Sequence, residues 1–446
     1  MQFLILSMIV AVMSFPFLTS RGVLPQVFNY APEIVALVAC VTVVIVGVRS
    51  RFRYVRPVYW LIFGALLLAT VCGAVANLLE PGPLFAGIRT YLRALPFFFL
   101  PAVVLFKERQ LRTQLLLLLA LCAIQLPLTW AQRMGPLAIK YSHTGDVVFG
   151  TIMDSGILSV FLICAACVLT GVYLRRRISL RLYLVLMLII LVPTTLNETK
   201  ATLFLVPVGL LVTFYAGSPR GTRLKNTLMG VVVLSGFLAI FVPVYDHFMA
   251  YKYNYGILDF LTMQGRVEGY LAKGTKPGEQ REAGRLDGVF AAFSEFSKNP
   301  TNMVFGYGIG NASESSLGRQ FVGAHHEQFA NFPFTTLLNL FLEEGLFGLG
   351  LVLFLHWMIF TDSLAVARQG TGLLGALAIG WVGVTVVIIM SFPYTKLITF
   401  PAVSYLYWYF SGLIVASRMR AAENAEARGR VSANADLTQP PISYAG

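Results

Sequence analysis

Apolar residues in this chain come in long runs. Windows of about 19 residues mark apolar segments near 2–19, 31–48, 58–79, 87–106, 112–131, 150–174, 180–196, 199–216, 226–244, 345–367, 372–392 and 397–417. The segments are roughly 18–24 residues long and show no strict alternation, so each predicts a helix that is apolar all round. Hydrocarbon forces the backbone to satisfy its own hydrogen bonds, which leaves helices or a closed barrel, and segments of this length exclude the barrel. About twelve spans follow. The run from Phe3 to Leu18 has no basic n-region and no A-x-A site, so it reads as a first span and not as a removed signal.

The expected fold class is all-α, a polytopic integral membrane protein. Its parts are an N-terminal bundle over 1–244, a large outer loop over 245–344, a C-terminal set of spans over 345–417 and a disordered tail over 418–446. Composition agrees: 57% of the 446 residues are hydrophobic and 12% charged, and the mean hydropathy is +0.72. A soluble domain cannot hide that much apolar surface inside itself. The five cysteines all fall within apolar runs, so no disulfide framework is implied. Cys164 and Cys167 read as two small residues on one helix face with no basic neighbour to lower a thiol pKa.

The net charge of +13 acquires a meaning only from its location. Arg49, Arg51, Arg53 and Arg56 share one set of alternate connections with Lys107, Arg109, Arg112, Arg175, Arg176, Arg177 and Arg181. The same set takes in Arg220, Arg223, Lys225, Arg368 and the arginines of the tail. The opposite short loops are poor in Lys and Arg, which places both termini in the cytoplasm and the large loop outside. That loop mixes eight basic with nine acidic residues between Asp246 and Glu327. Nucleic acid is therefore not an expected partner, whereas membrane lipid is.

Tyr245–Asn331 is the one long polar interval. Within it Glu282–Lys298 reads as an amphipathic helix, with Leu286, Val289, Phe290, Phe293 and Phe296 at three-to-four spacing and Asn299-Pro300 as its stop. Such a helix lies on the membrane face or packs on the spans. Gly306, Gly308 and Gly310 follow no strand of a βαβ unit, so they predict a tight turn back towards the membrane and not a dinucleotide site. Phe334–Leu342 reads as a short apolar helix broken at Glu343-Glu344-Gly345.

Candidate chemistry gathers at the outer membrane face. Asn197 is expected to cap the next helix, which would put Lys200 in its first turn, an anion-binding arrangement; the alternative is a snorkelling lysine at a span end. Arg89 and Arg93, four apart near the outer end of the fourth span, suit either an anion or interfacial anchoring. Arg285 opens the amphipathic helix with Asp287 too close in sequence to share its face, and reads as a phosphate ligand or a solvated arginine. Arg266 is a further loop cation. His325, with His326 and Glu327 beside it, is the candidate general base, since the unperturbed histidine pKa of about 6.5 lets a neutral imidazole take a proton from a sugar hydroxyl. Zinc fails the spacing test because the second histidine of H-E-x-x-H would fall on Ala330, and His247 with Asp246 or His143 with Asp146 would have to converge from distant loops. His356 reads as a packed histidine. Asn197-Glu-Thr199 and Asn311-Ala-Ser313 match the glycosylation pattern, which three-residue chance also produces.

The order of these motifs resembles a known one. Thr199-Lys200-Ala201-Thr202, Gly284-Arg285, Asn299-Pro300, Phe305-Gly306-Tyr307-Gly308-Ile309-Gly310, Ala324-His325 and Glu343-Glu344-Gly345-Leu346-Phe347-Gly348 are similar to the bacterial O-antigen ligase and polymerase superfamily. The resemblance covers roughly residues 190–360. It implies a glycosyltransferase of the bacterial inner membrane acting on the periplasmic side upon a polyprenyl-diphosphate-linked glycan donor, with a glycan or lipid acceptor. No nucleotide sugar, cofactor or metal is implied; chain-length regulator and flippase proteins are implied partners. In that scheme Arg285 and Lys200 hold the diphosphate and His325 takes the acceptor's proton, with Arg89, Arg93, Arg266, His326 and Glu327 as substrate contacts. The family has Ser-Arg where this chain has Thr199-Lys200 and commonly His-Asn where it has His325-His326. These departures favour a polymerase over a ligase. The competing class is a transporter or flippase of a lipid-linked or anionic solute, which would place its charges nearer the bilayer midplane.

Overall fold

The computed structural model describes residues 1–50, 52–135, 137, 147–219, 221, 223–253, 256–263, 265–274, 283–315 and 317–437. Arg51, His143, Asp146, Arg220, Lys276, Arg281, Glu282 and the final 438–446 of the tail lie outside them. The helices are α1 (Gln2–Ser20), α2 (Ala31–Ser50), α3 (Pro57–Ala76), α4 (Pro81–Leu92), α5 (Leu95–Val103), α6 (Glu108–Met134), α7 (Ser155–Leu174), α8 (Leu180–Leu196) and α9 (Thr202–Gly217). There follow α10 (Arg223–Tyr253), α11 (Ile257–Thr262), α12 (Arg266–Leu271), α13 (Asp287–Phe296), α14 (Pro300–Phe305), α15 (His326–Phe329), α16 (Thr336–Gln369), α17 (Gly372–Met390) and α18 (Pro401–Leu437). No strand occurs among the described residues. Eight helices there are long and apolar enough to cross a membrane, and α8 and α9 are shorter apolar helices.

Several boundaries differ from the sequence reading, each for a local reason. The single helix expected over 87–106 is two, α4 and α5, separated at Arg93 and Ala94. Pro96 has no N–H for the carbonyl of Leu92 and its ring crowds that carbonyl, so α4 stops there, while the second position of α5 tolerates the proline. Helix α10 runs past Tyr245 to Tyr253, since neither Gly nor Pro intervenes between Pro243 and Gly256. The stretch 418–437, expected as disordered, prolongs α18; it is rich in alanine and other good helix formers. The break at Gly345 is present: α16 is one continuous element except at this residue, which sits at φ 63°.

Helix α17 lies at the centre, packed on α7, α9 and α16, while α5 packs between α2 and α18. Gly380 makes the α17–α7 approach possible, because a Cβ there would stand 2.5 Å from the Cα of Val168. The two ends of the bundle differ chemically. At one, fully buried Asp362 of α16 pairs with Arg56 and Arg418 and accepts from Tyr59 Oη at 2.7 Å, joining α3, α16 and α18. Arg175 donates to the carbonyl of Ala367 at the same end, and Glu108 accepts from Leu373 N, joining α6 to α17. The loop 245–335 closes over the opposite end, where Glu33, Arg89, Lys200 and Thr399 lie.

Candidate functional site

Three segments distant in sequence are brought together at the loop-covered end. The first is the α8–α9 junction. Asn197 does not cap α9: it closes α8, and α9 begins at Thr202 behind an Ala201 cap. The Asn197 side chain is buried, donating to Ser155 O and Ser159 Oγ and accepting from Thr199 N. Glu198 then turns through a left-handed φ of 56° and is paired with Arg133. This sharp turn lifts Lys200 out of the bundle towards the loop, so it stands before the helix and not in its first turn. Its Nζ lies 4.2 Å from the ring centre of Phe260 on α11 and 5.2 Å from that of Tyr270 on α12.

The second segment carries Arg285. Asp287 is buried and organises the chain around itself, accepting from Gly284 N at 2.7 Å, Lys273 N at 3.0 Å and Gly274 N at 3.1 Å. The backbone of 285–286 is bonded to that of 270–271. Arg285 and Tyr270 are thereby side by side, with the guanidinium 5.8 Å from the Tyr270 ring centre. It also lies 5.1 Å from the ring centre of Tyr394 and donates to the Tyr394 carbonyl at 3.1 Å. The amphipathic helix is shorter than its pattern predicts; Ala292 and Phe296 are buried against Leu338 and Phe341 of α16, and Phe290 and Phe293 are 60% and 53% exposed.

The third segment, Pro393-Tyr394-Thr395-Lys396, joins α17 to α18 and was not nominated from sequence. Its position is fixed by the start of α16: Thr336 donates from N and Oγ1 to Thr395 O and accepts from Leu397 N, and Leu337 N bonds Phe392 O. Lys396 Nζ sits 4.9 Å from the ring centre of Phe334. Burial pulls the Lys396 ammonium below the ordinary lysine pKa, and the nearby charges of Glu314, Asp154 and Glu343 pull it back up. Burial pushes the Tyr394 phenol above its ordinary value, Tyr270 adds to that, and Arg285 opposes it. The available sequence signal was a Thr-Lys pair at a span boundary, the same dipeptide as Thr199-Lys200.

The histidines sit beside this cationic cluster in different ways. His326 stacks on Phe334, ring centres 5.4 Å apart, and its Nδ1 is 3.3 Å from Ala312 O. Phe334 thus has His326 against it and Lys396 over it. His325 is stacked nearly parallel on Tyr307 at 3.7 Å, with Nδ1 3.4 Å from Gln328 Oε1 and its backbone N–H held by Asn311 O. Burial, helped by Glu295, pushes the Tyr307 phenol up to about 12, so His325 rests on a neutral ring. Glu343 holds this loop from below through Ala312 N, Ser313 N and Ser313 Oγ. Tyr307 N and Gly308 N bond the carbonyls of Leu342 and Glu343. The glycine run is a tight turn as expected: Gly306, Gly308 and Gly310 all have positive φ, and Gly310 is so close to the backbone of Pro83 and Gly87 that no Cβ fits.

The remaining nominated residues fall elsewhere. Arg89 and Arg93 both engage Glu33, Arg89 by two bonds, and Arg93 also donates to Thr399 O. The two guanidinium groups share the one carboxylate of Glu33, and they join α2, α4 and the α17–α18 connection. Arg266 opens α12 and Glu327 is exposed on α15. Asn197 and Asn311 are both buried with their amides bonded, so neither glycosylation match presents an acceptor. His356 is a packed histidine, bonded to Val352 O and stacked on Tyr407. Among the described residues no three His, Cys, Asp or Glu side chains converge.

Lys200 and Arg285 with Tyr270 and Tyr394 make an aromatic-lined cationic face, and Lys396 on Phe334 extends from the same 393–396 turn. Such a face suits an anion of two or more charges whose organic part is held against rings. Compared with known proteins, the chain matches no family model and no curated protein sequence.

Proposed function

We infer that this protein is a membrane glycosyltransferase that extends or transfers a polyprenyl-diphosphate-linked oligosaccharide in surface polysaccharide synthesis, with polymerisation the favoured outcome. The observation that carries the reading is the convergence of Lys200 and Arg285 on the single ring of Tyr270. In the topology that goes with it, the eight long apolar helices are joined as spans by α8, α9, the α4–α5 pair and the apolar half of α18. Both termini face the cytoplasm of a bacterial inner membrane, and the loop faces the periplasm.

The chemistry follows from the charges. The acceptor hydroxyl oxygen attacks the anomeric carbon of the donor; the new C–O bond forms as the bond from that carbon to the phosphate oxygen breaks. The lipid diphosphate leaves with the electron pair, and Arg285 and Lys200, joined by Lys396, stabilise the charge that develops on it. The proton goes to a neutral histidine. His325 is the nominated base, and His326 stands on the Lys396 side of the same turn. No residue at this face needs a nucleotide, since the diphosphate is already on the donor.

The reading is tested by reconstituting the protein in liposomes with a lipid-diphosphate oligosaccharide. Release of the lipid diphosphate together with a ladder of longer glycans is expected. Release only when a separate lipid acceptor is added would indicate a ligase. Donor crossing the bilayer with its glycan intact and no diphosphate released would overturn the enzyme reading in favour of a transporter. His325→Ala, His326→Ala and Arg285→Ala, each at unchanged protein level, assign the residues: a variant with full activity is removed from the scheme.

A further inference from the structure

A cavity of ≈ 670 Å³ opens among α6, α7, α8, α17 and α18, with its charged mouth at the end of the bundle away from the loop and its walls running most of the length of α17. Its volume is that of a small-molecule site, and its walls are almost wholly apolar, with Cys164, Ala165, Leu186 and Trp381 among them. Charge appears only at one end, where Arg109, Arg112 and Arg177 stand beside Glu108. Glu108 accepts from Leu373 N at the start of α17. Among the described residues, none of the three arginines is paired with a carboxylate. The walls run from Leu373 to Ile388 of α17, about 22 Å at 1.5 Å per residue. That exceeds one leaflet's share of a hydrocarbon core of about 30 Å.

A long apolar slot with three arginines at its mouth, in a chain of membrane-spanning helices, matches one shape of ligand: hydrocarbon chains ending in a phosphate. Basic pockets between spanning helices on the arginine-rich side recognise acidic lipid headgroups in this way. We propose that this cavity binds one anionic phospholipid of the leaflet at the arginine-bearing end, its chains along α17 and its phosphate on Arg109, Arg112 and Arg177. The site is separate from the cationic face under the loop and does not depend on the reaction assigned there.

Trp381 in the cavity wall supplies the readout. The full-length protein, purified in detergent and stripped of lipid, is titrated with phosphatidylglycerol or phosphatidylcholine carrying brominated chains, and tryptophan quenching is followed. Saturable quenching at lower phosphatidylglycerol than phosphatidylcholine is expected, with the quenched component missing in Trp381→Phe. Replacing the arginines by glutamine should weaken phosphatidylglycerol by about 5-fold for each charge removed, and Ala165→Phe should block both lipids by filling the slot. Equal titrations of the two lipids by the wild-type protein would overturn the proposal, and this arm needs no variant to fold. Quenching that survives unchanged in Trp381→Phe, or that ignores Ala165→Phe in a variant with wild-type melting, would also overturn it.

Discussion

Lys200 and Arg285 stand over the same aromatic ring, 5.2 and 5.8 Å from the centre of Tyr270. One comes from a turn between two apolar helices and the other from the middle of a polar loop. A polyvalent anion seated beside Tyr270 can meet both cations at once through charge-assisted bonds, which is why this pair carries the functional reading.

The two cations should be separable by conservative variants. Lys200→Ala and Arg285→Ala each remove a charge-assisted hydrogen bond worth about 1.5–3 kcal/mol, or roughly 10- to 150-fold in donor affinity. Lys200→Arg should keep activity, since the charge stays. Titration of donor against transfer rate in liposomes reads this directly; an unaltered Lys200→Ala returns Lys200 to the role of an anchor.

Lys396 predicts a pH effect. Its pKa is lowered by burial, so its charge is lost at a lower pH than that of an exposed lysine. Donor binding that uses this charge declines on the alkaline side, beginning below the ordinary lysine range near 10.4. Lys396→Arg should move that decline upward, because guanidinium stays charged. A pH profile identical in the two proteins would exclude Lys396 from the site.

Asp287 holds the loop together through three backbone N–H groups. Asp287→Ala leaves the buried N–H of Gly284 without its acceptor, at a cost of about 1–3 kcal/mol, and releases the N–H groups of the exposed Lys273 and Gly274. The expected result is rapid proteolysis within 272–287 and loss of transfer, while the melting of the spanning bundle is unchanged. Protection of the loop equal to wild type would show that other contacts suffice.

Asp362 makes the opposite prediction, stability without chemistry. Asp362→Asn leaves Arg56 and Arg418 without their counter-charge; each charge-assisted bond is worth at most about 1.5–3 kcal/mol, lowered by the partial exposure of both arginines. Thermal melting in detergent should fall, while variant protein still folded at low temperature should transfer at the wild-type rate per molecule.

Much of this protein was legible in its sequence, because hydropathy and charge are properties that single residues carry. Runs of apolar residues determined a helical bundle in hydrocarbon, since no other backbone satisfies itself there. Arginine spacing marked one end of the bundle, and the glycines at 306, 308 and 310 marked a tight turn. Arg285 and Lys200 were visible as cations at apolar boundaries. Their shared ring was not, since Tyr270 is brought to Arg285 by the carboxylate of Asp287 bonding across the loop and by the backbone bonds of 285–286 to 270–271. Lys396 carried the signal of a Thr-Lys pair at a span boundary, but its place beside Phe334 comes from Thr336 gripping Thr395. Arg89 and Arg93 show the converse, since the charge that looked costly on α4 is met by Glu33 of α2. Sequence determines which groups need a partner; only the packing of helices decides which partner each one finds.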